Sequence, residues 1–424
     1  MRVLIINTSE KTGGAAVASL RLKDALNNNG VKAKMLVMHK ETDDITVVQA
    51  GNGRKHPWSF LWERWCIFCS LHFSKTHLFD IDIANAGIDI TKTAEFREAD
   101  VIHLEWINQG MLSLRTLRKI LDSGKAVVWT MHDMWPATGV CHLTMNCKRY
   151  VSGCGKCPYL PGSNANDLSA KVFKRKQSII GKHSISFVAC SKWLAEQASA
   201  SALFHDQKRV TAIPNPIDTH LFQPQSKAEA RRQMGLPEDK KLILFAAQRA
   251  TNVNKGMAYL VEACRRMAEE HPEHRENTGI VILGGHAKEY EDAFSMPVYP
   301  LGYVSDSHTI ASIYNACDLF VLPSLSENLP NTIMEAMACG IPCVGFNVGG
   351  IPEMIDQRQN GYVAKLRDAE DLARGIQWVL GEADYNALSD AAVRKVQREY
   401  SQRSVARRYI EVYNQALAFK KCGL

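Results

Sequence analysis

The feature that most constrains the fold is an alternation of short apolar runs with amphipathic helical stretches. In the first half of the chain the apolar runs are RVLIIN, KAKMLVM, ADVIHLEW, KAVVWTMH and ISFVACS, and the helical stretch AAVASLRLKDALNNNG follows the first of them. Short apolar strands that alternate with helical periodicity are typical of βαβ units, whose strands are parallel. The pattern therefore predicts an α/β domain in which helices cover both faces of a parallel sheet.

The same alternation begins again after a proline-rich connection. Pro214, Pro216 and Pro224 lie in AIPNPIDTHLFQPQS, and the runs KLILFAAQ, TGIVILGG, CDLFVLPS and IPCVGFN follow with helical patterns between them. A chain of 424 residues is too long for one ordinary domain. We therefore expect two doubly wound, Rossmann-like domains that face each other across a cleft, an N-terminal one at residues 1–218 and a C-terminal one at residues 219–402.

The composition is that of an ordinary globular protein, with 46% hydrophobic and 22% charged residues. No apolar run reaches the roughly 20 residues that cross a bilayer, and the N-terminal MRVLIINTSEKTGG lacks the basic start and cleavage site of a signal peptide. The formal charge of +7 fits an anionic ligand, an acidic membrane surface or simply a slightly basic surface. Because no arginine-rich or RNP-type segment is present, we expect a cytoplasmic protein without a nucleic-acid partner.

Two glutamates bracket a predicted helix start in SENLPNTIMEAMACGIPCV. Glu327 lies in the turn after the strand DLFVLPS, and Glu335 lies about one turn inside a helix predicted from about Pro330 to Cys339. Free backbone N–H groups at a helix start favour an anion, and proline has none. The expected donors are the backbone groups of Leu329, Asn331 and Thr332. Carboxylates beside an anion site fit a ligand with both phosphate and hydroxyl groups, namely a sugar nucleotide, whereas the alternative is a helix whose acidic residues merely favour its N-terminus.

Two cations follow the strand KLILFAAQ. Arg249 and Lys255 lie in QRATNVNKG, at the carboxyl end of that strand, where ligands bind in open α/β sheets. Positive charge at this place fits an anionic ligand, and the alternative is two solvated cations on a loop. Asp80 and Asp82 in FDIDIAN have a metal-binding spacing without a fitting strand end, so we expect catalysis without a divalent ion or other cofactor.

Together these motifs resemble glycosyltransferase family 4, a family of retaining nucleotide-sugar transferases with the two-domain GT-B fold. Glu327 and Glu335 match its E-x7-E signature, and Arg249, Lys255 and Gly256 match its Arg-x5-Lys-Gly element. The segment VGGIPEMIDQRQNGYV resembles its Gly-Gly-x-Pro-Glu stretch, and IPNPIDTHLF its interdomain Asn-x-x-Asp segment, with proline where many members carry glycine. TGGAA resembles its glycine-rich loop, and WTMHDMWPATG the strand that delivers an active-site histidine. The resemblance covers nearly the whole chain and is to members of the bacterial polysaccharide type.

The resemblance implies a role for each matching residue of the C-terminal domain. The arginine and lysine would stabilise the departing diphosphate, Glu335 would hold the ribose hydroxyls, and Glu327 would contact hydroxyls of the donor sugar. The backbone around Gly302 and Tyr303, in PLGYVSD, would line the base. In GT-B enzymes the last helix crosses back to the first domain, so we expect a helix at about residues 403–420 to pack there.

In the N-terminal domain the candidates follow strands or precede a helix. A lone histidine is more often structural, but His132 ends the strand KAVVWTMH, and the resemblance implies contact with the donor sugar near the reacting carbon. Gly13 and Gly14 either let the backbone approach the diphosphate or the acceptor, or form a plain tight turn. His103 and Glu105, in VIHLEW, also end a strand and either face the acceptor or serve the structure.

We therefore expect a retaining transferase of the hexosyltransferase type that moves a sugar from a nucleotide diphosphate sugar to a glycan or a lipid-linked acceptor. A sugar-nucleotide epimerase or hydrolase on the same fold is an alternative, although such epimerases lack the E-x7-E and Arg-x5-Lys pairing. A nicotinamide-dependent oxidoreductase would need G-x-G-x-x-G after the first strand, which NTSEKTGGAA does not supply. A non-catalytic sugar-nucleotide binder is the remaining alternative.

The segment PWSFLWERWCIFCSLHF carries large apolar side chains at helical spacing. They are Trp58, Leu61, Trp62, Trp65, Phe68 and Cys69. Two interpretations remain open. The helix packs on the first domain, or it docks peripherally on the inner face of a membrane that carries a lipid-linked acceptor.

Four of the twelve cysteines are clustered in VCHLTMNCKRYVSGCGKCPYL. Cys141, Cys147, Cys154 and Cys157 have the spacing C-x5-C-x6-C-x2-C, and the final C-x2-C resembles a zinc-knuckle turn. Tetrahedral Zn²⁺ takes four thiolates, and His142 could replace one of them. We expect a structural Zn²⁺ here, with reduced free thiols, or one disulfide in an exported protein, as the alternatives.

Overall fold

The computed structural model describes residues 1–51, 57–162, 164–204 and 210–421. The chain divides into two compact units, of which the first is Met1–Pro216 with Val405–Leu424 and the second is Ile217–Ser404. The first change of unit falls at Pro216, inside the proline-rich connection.

The first unit is built on a parallel sheet. Its strands within the described ranges are β1 (Arg2–Ser9), β2 (Lys32–His39), β3 (Val47–Gln49), β4 (Val101–Leu104), β5 (Ala126–Met131), β6 (Ser186–Ala189) and β7 (Val210–Ala212). They pair in the order β3-β2-β1-β4-β5-β6-β7. Its helices in the same ranges are α1 (Gly14–Asn28), α2 (Pro57–Ser70), α3 (Ala94–Glu98), α4 (Leu114–Asp122), α5 (Leu168–Ile180) and α6 (Lys192–Ser199).

Strand β1 illustrates why this sheet is covered on both faces. Its side chains alternate between the faces, as the pleat of a strand requires. Leu4 and Ile6 belong to one buried cluster, and Val3 and Ile5 belong to another on the opposite face. A strand buried on both faces has a nearly continuous apolar sequence, which is why RVLIIN was recognisable as a strand.

The second unit repeats this architecture. Its strands are β8 (Lys241–Arg249), β9 (Thr278–Gly285), β10 (Val298–Gly302), β11 (Leu319–Leu322), β12 (Cys343–Phe346) and β13 (Gly361–Ala364). These strands are parallel and pair in the order β10-β9-β8-β11-β12-β13. Its helices are α7 (Lys227–Met234), α8 (Met257–Glu270), α9 (His274–Asn277), α10 (Ser307–Ala316), α11 (Asn331–Ala338), α12 (Ile351–Met354), α13 (Ala369–Gln377) and α14 (Tyr385–Glu399). The predicted pair of doubly wound α/β domains is confirmed.

The last helix, α15 (Gln402–Lys421), carries apolar side chains that pack on the sheet of the first unit. Val405, Tyr409 and Tyr413 share a buried cluster with Val3 and Ile5 of β1. The C-terminal end of the chain thus forms part of the core that contains the first strand.

Four strands were not predicted from the sequence, and they are the two edge strands of each sheet, β3 and β7 in the first unit and β10 and β13 in the second. The other nine strands coincide with apolar runs that the sequence identified.

Candidate functional site

The loop between β11 and α11 holds Glu327 against two neighbouring side chains. The ammonium of Lys255 forms an ion pair with Oε1 of Glu327. The hydroxyl of Ser324 donates a hydrogen bond of 2.9 Å to the same oxygen. The side chains of Lys255 and Glu327 are 29% and 11% exposed, so the pair lies partly within the protein and still reaches its surface. The two predicted site residues are therefore brought into direct contact, although they lie far apart in the sequence.

Backbone contacts fix this loop between two others. The N–H of Leu325 donates to the carbonyl of Asn254 at 2.8 Å, and the N–H of Gly350 donates to the carbonyl of Asn328 at 2.7 Å. Gly349 has a φ of +57°, and a Cβ atom there would lie 1.7 Å from the carbonyl oxygen of Glu327. Only glycine fits so close an approach in that backbone conformation.

A similar close approach holds the loop that carries Lys255. Gly256 has a φ of +73°, and a Cβ atom at this residue would lie 1.8 Å from the carbonyl oxygen of Pro323. The glycine after the lysine thus lets the lysine loop and the glutamate loop lie against each other, which aligns the ion pair.

Arg249 differs from Lys255 in its surroundings. It ends β8 just after an irregularity in the pairing with β9, and its side chain is exposed. Within the part of the chain that the structure describes, its guanidinium makes no hydrogen bond or ion pair with another side chain. An exposed cation without a protein partner is available to an anionic ligand.

Helix α11 begins without a side-chain cap. Its N-cap residue is Pro330, whose side chain has no group that could accept a hydrogen bond from the first turn, and the helix was predicted to begin at about this residue. By contrast, α10 and α13 are capped by Asp306 and Asp368, each of which accepts from a backbone N–H of its helix. Asn331 and Thr332 in this first turn are half-buried and Leu329 is buried. The start of α11 therefore keeps the partial positive charge of a helix N-terminus without a protein carboxylate as its cap.

Glu335 lies one turn inside α11 and is 8% exposed. The hydroxyl of Tyr314, which is fully buried, donates a hydrogen bond of 3.0 Å to Oε2 of Glu335. Burial, followed by the neighbouring Glu335, raises the pKa of Tyr314 well above its ordinary value, so the tyrosine remains a donor. Tyr314 therefore orients the Glu335 carboxylate, a contact that the sequence did not indicate.

The two residues predicted to line a base lie at one edge of the second sheet. Gly302 ends β10 with a φ of +70°, and Tyr303 follows it with 66% of its surface exposed. A ring this exposed offers a flat surface on which an aromatic group can stack.

In the first unit, His132 follows β5 and is held on both ring nitrogens. Its Nε2 lies 2.5 Å from Oε2 of Glu105, and its Nδ1 lies 3.3 Å from the sulfur of Cys190. Glu105 follows β4 and Cys190 follows β6, so three neighbouring parallel strands deliver the three side chains to one end of the sheet. Burial alone would lower the pKa of His132, but Cys190 and Glu105 outweigh it and raise that pKa well above 6.5.

His103 has a structural environment rather than an accessible one. It is fully buried, with Nε2 2.8 Å from the hydroxyl of Thr130 and Nδ1 2.8 Å from the hydroxyl of Tyr413 in α15. Its Nε2 also lies 3.4 Å from Oε1 of Glu105. Burial lowers the pKa of His103, with His132 acting in the same direction and Glu105 against it. Two roles were left open for His103, contact with the acceptor and a structural role, and its burial favours the structural role. Glu105 contacts both His103 and His132.

Gly13 and Gly14 lie at the start of α1. Gly13 has a φ of +96° and is the N-cap residue of that helix, which has no side-chain cap. A Cβ atom on either glycine would meet nothing within 4 Å, so open space surrounds both.

A second histidine is held between two carboxylates and was not predicted in this role. Nδ1 of His142 lies 2.7 Å from Oδ2 of Asp133, and Nε2 lies 2.6 Å from Oδ2 of Asp82. Arg64 forms an ion pair with the other oxygen of Asp82. Both nitrogens of His142 are thus engaged by carboxylates, and as it stands His142 has no ring nitrogen left for a zinc ion.

The four clustered cysteines line one cavity in the first unit. All four thiols, those of Cys141, Cys147, Cys154 and Cys157, are free. Among the described residues no three His, Cys, Asp or Glu side chains are grouped closely enough to hold a metal ion as they stand. The structure thus brings the cysteines to one place without a preformed coordination shell.

Helix α2 has one buried face and one exposed apolar face. Glu63, Arg64 and Ile67 are buried, and Oε1 of Glu63 accepts from the backbone N–H groups of Ile83 and Ala84. The exposed residues are Trp58, Leu61, Trp62 and Trp65, with exposed fractions between 51% and 80%. One face of α2 therefore packs on the first unit, as one of the two interpretations expected, and the other face remains exposed. No helix in the described ranges has the length and apolar character that crossing a membrane requires.

Two doubly wound parallel sheets, each with polar residues at the carboxyl ends of its strands, form the architecture of the GT-B fold. Residues 240–382 match the family model described as Glycosyl transferases group 1. The second unit therefore contains the segment that is similar to group 1 glycosyl transferases, and the chain as a whole has the GT-B fold.

Relatives of this chain are also glycosyltransferases. It is 26% identical to an uncharacterized glycosyltransferase of Methanocaldococcus jannaschii over 80% of this chain and 90% of the relative. It is 28% identical to the D-inositol 3-phosphate glycosyltransferase of Thermobispora bispora over 56% of this chain and 59% of the relative. The chain thus matches little more than half the length of the inositol phosphate enzyme.

Solved structures with the same fold include two that align along nearly the whole chain. Sucrose-phosphate synthase from Thermosynechococcus elongatus has a TM-score of 0.68 and 19% identity, with 98% of this chain and 99% of that one aligned. Anabaena HepE, solved in complex with UDP, has a TM-score of 0.65 and 15% identity, with 98% and 100% aligned. At these identities the likeness concerns the fold.

Proposed function

We propose that this glycosyltransferase moves a sugar, with retention of anomeric configuration, from a nucleotide diphosphate sugar to a glycan or lipid-linked acceptor. The observation that carries the proposal is the contact of Lys255 with Glu327, beside the uncapped start of α11. An anion site and a hydroxyl-binding carboxylate are adjacent there, which matches a donor with a diphosphate next to a sugar.

The chemistry requires stabilisation of the leaving group. The bond between the anomeric carbon and the diphosphate oxygen breaks, and its electron pair stays on the diphosphate. Arg249, Lys255 and the N–H groups at the start of α11 would receive that negative charge. A hydrogen bond to a charged group contributes roughly 1.5–3 kcal/mol, and a site that develops charge in the absence of water gives more. This arrangement supplies positive charge from the protein itself.

The ion pair gives Lys255 and Glu327 complementary roles. Glu327 fixes the ammonium beside the diphosphate site, and the lysine in turn reduces the negative charge that Glu327 would present to the phosphates. Oε2 of Glu327 is then the oxygen that accepts from donor-sugar hydroxyls, since Oε1 already accepts from Lys255 and Ser324. Glu335, oriented by Tyr314, would hold the ribose, and Gly302 with Tyr303 would line the base. Anabaena HepE has also been solved with UDP-glucose, which makes UDP-sugars the first donors to test.

His132 is the group of the first unit that we assign to the donor sugar. Nε2 of His132 would stay on Glu105, and Nδ1 would exchange its 3.3 Å contact with the sulfur of Cys190 for a hydrogen bond to a sugar oxygen near the reacting carbon. In a retaining transfer of this kind, the acceptor oxygen attacks the face from which the diphosphate leaves. The acceptor's proton then passes to the departing oxygen. The open space around Gly13 and Gly14 would admit the diphosphate or the acceptor.

A lipid-linked acceptor would place the enzyme at a membrane surface, and helix α2 supports this part of the proposal. Its outer face presents three tryptophans, and between residues 58 and 80 the exposed charged side chains are Lys75 and Asp80. Arg54 and Lys55 precede the helix in the sequence. Tryptophan with basic residues is typical of helices that lie in the interface of anionic bilayers.

Sedimentation with vesicles tests the membrane contact. The full chain should pellet with vesicles that contain an anionic phospholipid and less so with neutral ones, and Trp58→Ser with Trp62→Ser should reduce pelleting several-fold. Phe419→Ser, which alters an exposed ring on α15, is the control and should bind as the wild type does. Equal pelleting of all three proteins would refute the assignment of this face.

Turnover of a donor panel tests the transferase proposal. UDP-, GDP- and ADP-sugars are incubated with and without candidate acceptors, and release of the nucleoside diphosphate is measured. The proposal expects release that depends on the acceptor and falls at least tenfold in Arg249→Ala, while Arg394→Ala, an exposed arginine of α14, remains active. An epimerase would change the sugar without releasing the diphosphate, a hydrolase would need no acceptor, and a binder would show affinity without turnover, so each alternative has its own outcome.

A further inference from the structure

The cysteine cluster is the part of the first unit that the proposed function does not use. Cys141, Cys147, Cys154 and Cys157 come from one long segment, and their side chains line a single cavity of about 20 Å³. A cavity of this size holds one ion or one water molecule. Cysteines that serve only as small apolar side chains would have no reason to gather around such a space.

The final pair has the backbone of a knuckle turn. Gly153 and Gly155, which flank Cys154, both have positive φ, 130° and 154°. The N–H of Gly139 donates a hydrogen bond of 3.2 Å to the sulfur of Cys154. Burial raises the pKa of the Cys154 thiol to about 11, and this hydrogen bond acts in the opposite direction, toward the thiolate that binds a metal.

A buried lysine adjoins the cavity, and its amino group lies 3.3 Å from the centroid of the Trp135 ring. Lys176 is fully buried, and its ammonium donates to the carbonyls of Trp135 at 2.6 Å and Thr138 at 3.0 Å. Thr138 itself lines the cavity. Buried charges are normally paired. Four thiolates around one Zn²⁺ carry a net charge of about −2, which is compatible with a neighbouring lysine.

We propose that Cys141, Cys147, Cys154 and Cys157 bind one structural Zn²⁺. Each thiol gives up its proton to the solvent as its sulfur binds the metal, and no electron transfer is involved. Because the sulfurs are not grouped for coordination as they stand, the turns that carry them converge on binding. With four protein ligands the ion has no open position, so it does not take part in the reaction.

The site would order the segment that follows His132. His142 belongs to this segment, and it lies against Asp133, the residue next to His132 in the chain. A metal that closes the segment would therefore fix the surroundings of His132 without touching it. The zinc site does not depend on the identity of the donor or acceptor, so it can fail while the transferase proposal stands.

Elemental analysis of the full chain, purified without chelator and without a histidine tag, tests the proposal. We expect about one equivalent of zinc in the wild type and in Cys69→Ser, and less than about a tenth in Cys157→Ser. Removal of zinc by a chelator should lower Tm, and Co²⁺ added to the chelated wild type should give the intense absorption of a tetrahedral cobalt thiolate.

The cobalt experiment uses the unaltered chain, so it decides the question even where Cys157→Ser fails to fold. A wild type that holds less than about a tenth of an equivalent of zinc, gives no cobalt thiolate absorption and has four freely reacting native thiols in this segment would overturn the proposal. So would full zinc content in a folded Cys157→Ser variant, or a disulfide between any two of the four cysteines.

Discussion

Replacement of Gly349 by alanine should inactivate the enzyme through Glu327, a residue that the substitution does not alter. Gly349 has a φ of +57°, and its added Cβ would lie 1.7 Å from the carbonyl oxygen of Glu327 and 2.7 Å from the carbonyl carbon. Contacts below 3.0 Å are essentially never made by real Cβ atoms, so the backbone of Glu327 must retreat by more than 1 Å.

The size of the effect follows from this geometry. An alanine in the left-handed region costs about 1–2 kcal/mol, and overpacking adds about 1–3 kcal/mol. The free energy of unfolding should therefore fall by about 2–5 kcal/mol, which a domain of ordinary stability can tolerate. A reacting group misplaced by about 1 Å loses about a hundredfold in rate. Turnover should fall by about that factor because Glu327 leaves Lys255 and the donor sugar.

Gly235→Ala is the matched control. Gly235 has a φ of +66°, but a Cβ there meets nothing within 4 Å. The free energy of unfolding of this variant should fall only by the cost of an alanine in the left-handed conformation, about 1–2 kcal/mol, and its turnover should equal that of the wild type. Denaturant unfolding and donor turnover are measured for both variants. Wild-type turnover in Gly349→Ala, or an equal loss of turnover in Gly235→Ala, would refute the reasoning.

Two further predictions concern the reaction and the histidine. Proton NMR should show that the new glycosidic linkage in the product has the same anomeric configuration as the sugar in the donor. An inverted linkage would contradict the proposed mechanism. Glu105→Gln should lower the pKa of His132, because Glu105 is one of the groups that raise it. Because the pKa of His132 is higher in the folded state than in the unfolded state, protonation of His132 stabilises the fold. This stabilisation is fully present below pH 6.5 and disappears as the pH rises through the raised pKa. The variant should therefore be less stable than wild type chiefly at low pH, and an equal difference in unfolding free energy at about pH 6 and about pH 9 would argue against the ion pair.

The central strands could be predicted from the sequence because they are buried on both faces. The edge strands could not, since they pair on one side only and are short or partly exposed. The exposure of β7 alternates, and all five residues of β10 are half-buried. Pro300 within β10 also argues against a strand, although proline is tolerated at an edge.

For the second unit the sequence identified the residues but not their contacts. Arg249, Lys255 and Glu327 were predicted from strand ends and motif spacing. The pairing of Lys255 with Glu327 depends on the close backbone approaches at Gly256 and Gly349, which are tertiary contacts. Local sequence does not encode which loops meet, so the ion pair needed the structure.

For the first unit, the positions of polar residues directly after apolar runs indicate which side chains lie together, but this pattern was only partly used. Glu105, His132 and Cys190 each follow an apolar run, and parallel strands bring such residues to one edge of the sheet. The sequence does not state that their strands, β4, β5 and β6, are neighbours. Cys190 was therefore missed as the partner of His132, and Glu105 was left between an acceptor contact and a structural role.

The affinity of the enzyme for nucleoside diphosphates tests the central claim most directly. Calorimetric titration of the full chain with UDP, GDP and ADP is compared between wild type, Arg249→Ala and Arg394→Ala. The account predicts that at least one nucleoside diphosphate binds the wild type and that Arg394→Ala binds it with the same affinity. Arg249→Ala should bind it about 10- to 150-fold more weakly, because a hydrogen bond to a charged group contributes about 1.5–3 kcal/mol. Binding of no diphosphate, or equal affinity in wild type and Arg249→Ala, would contradict it.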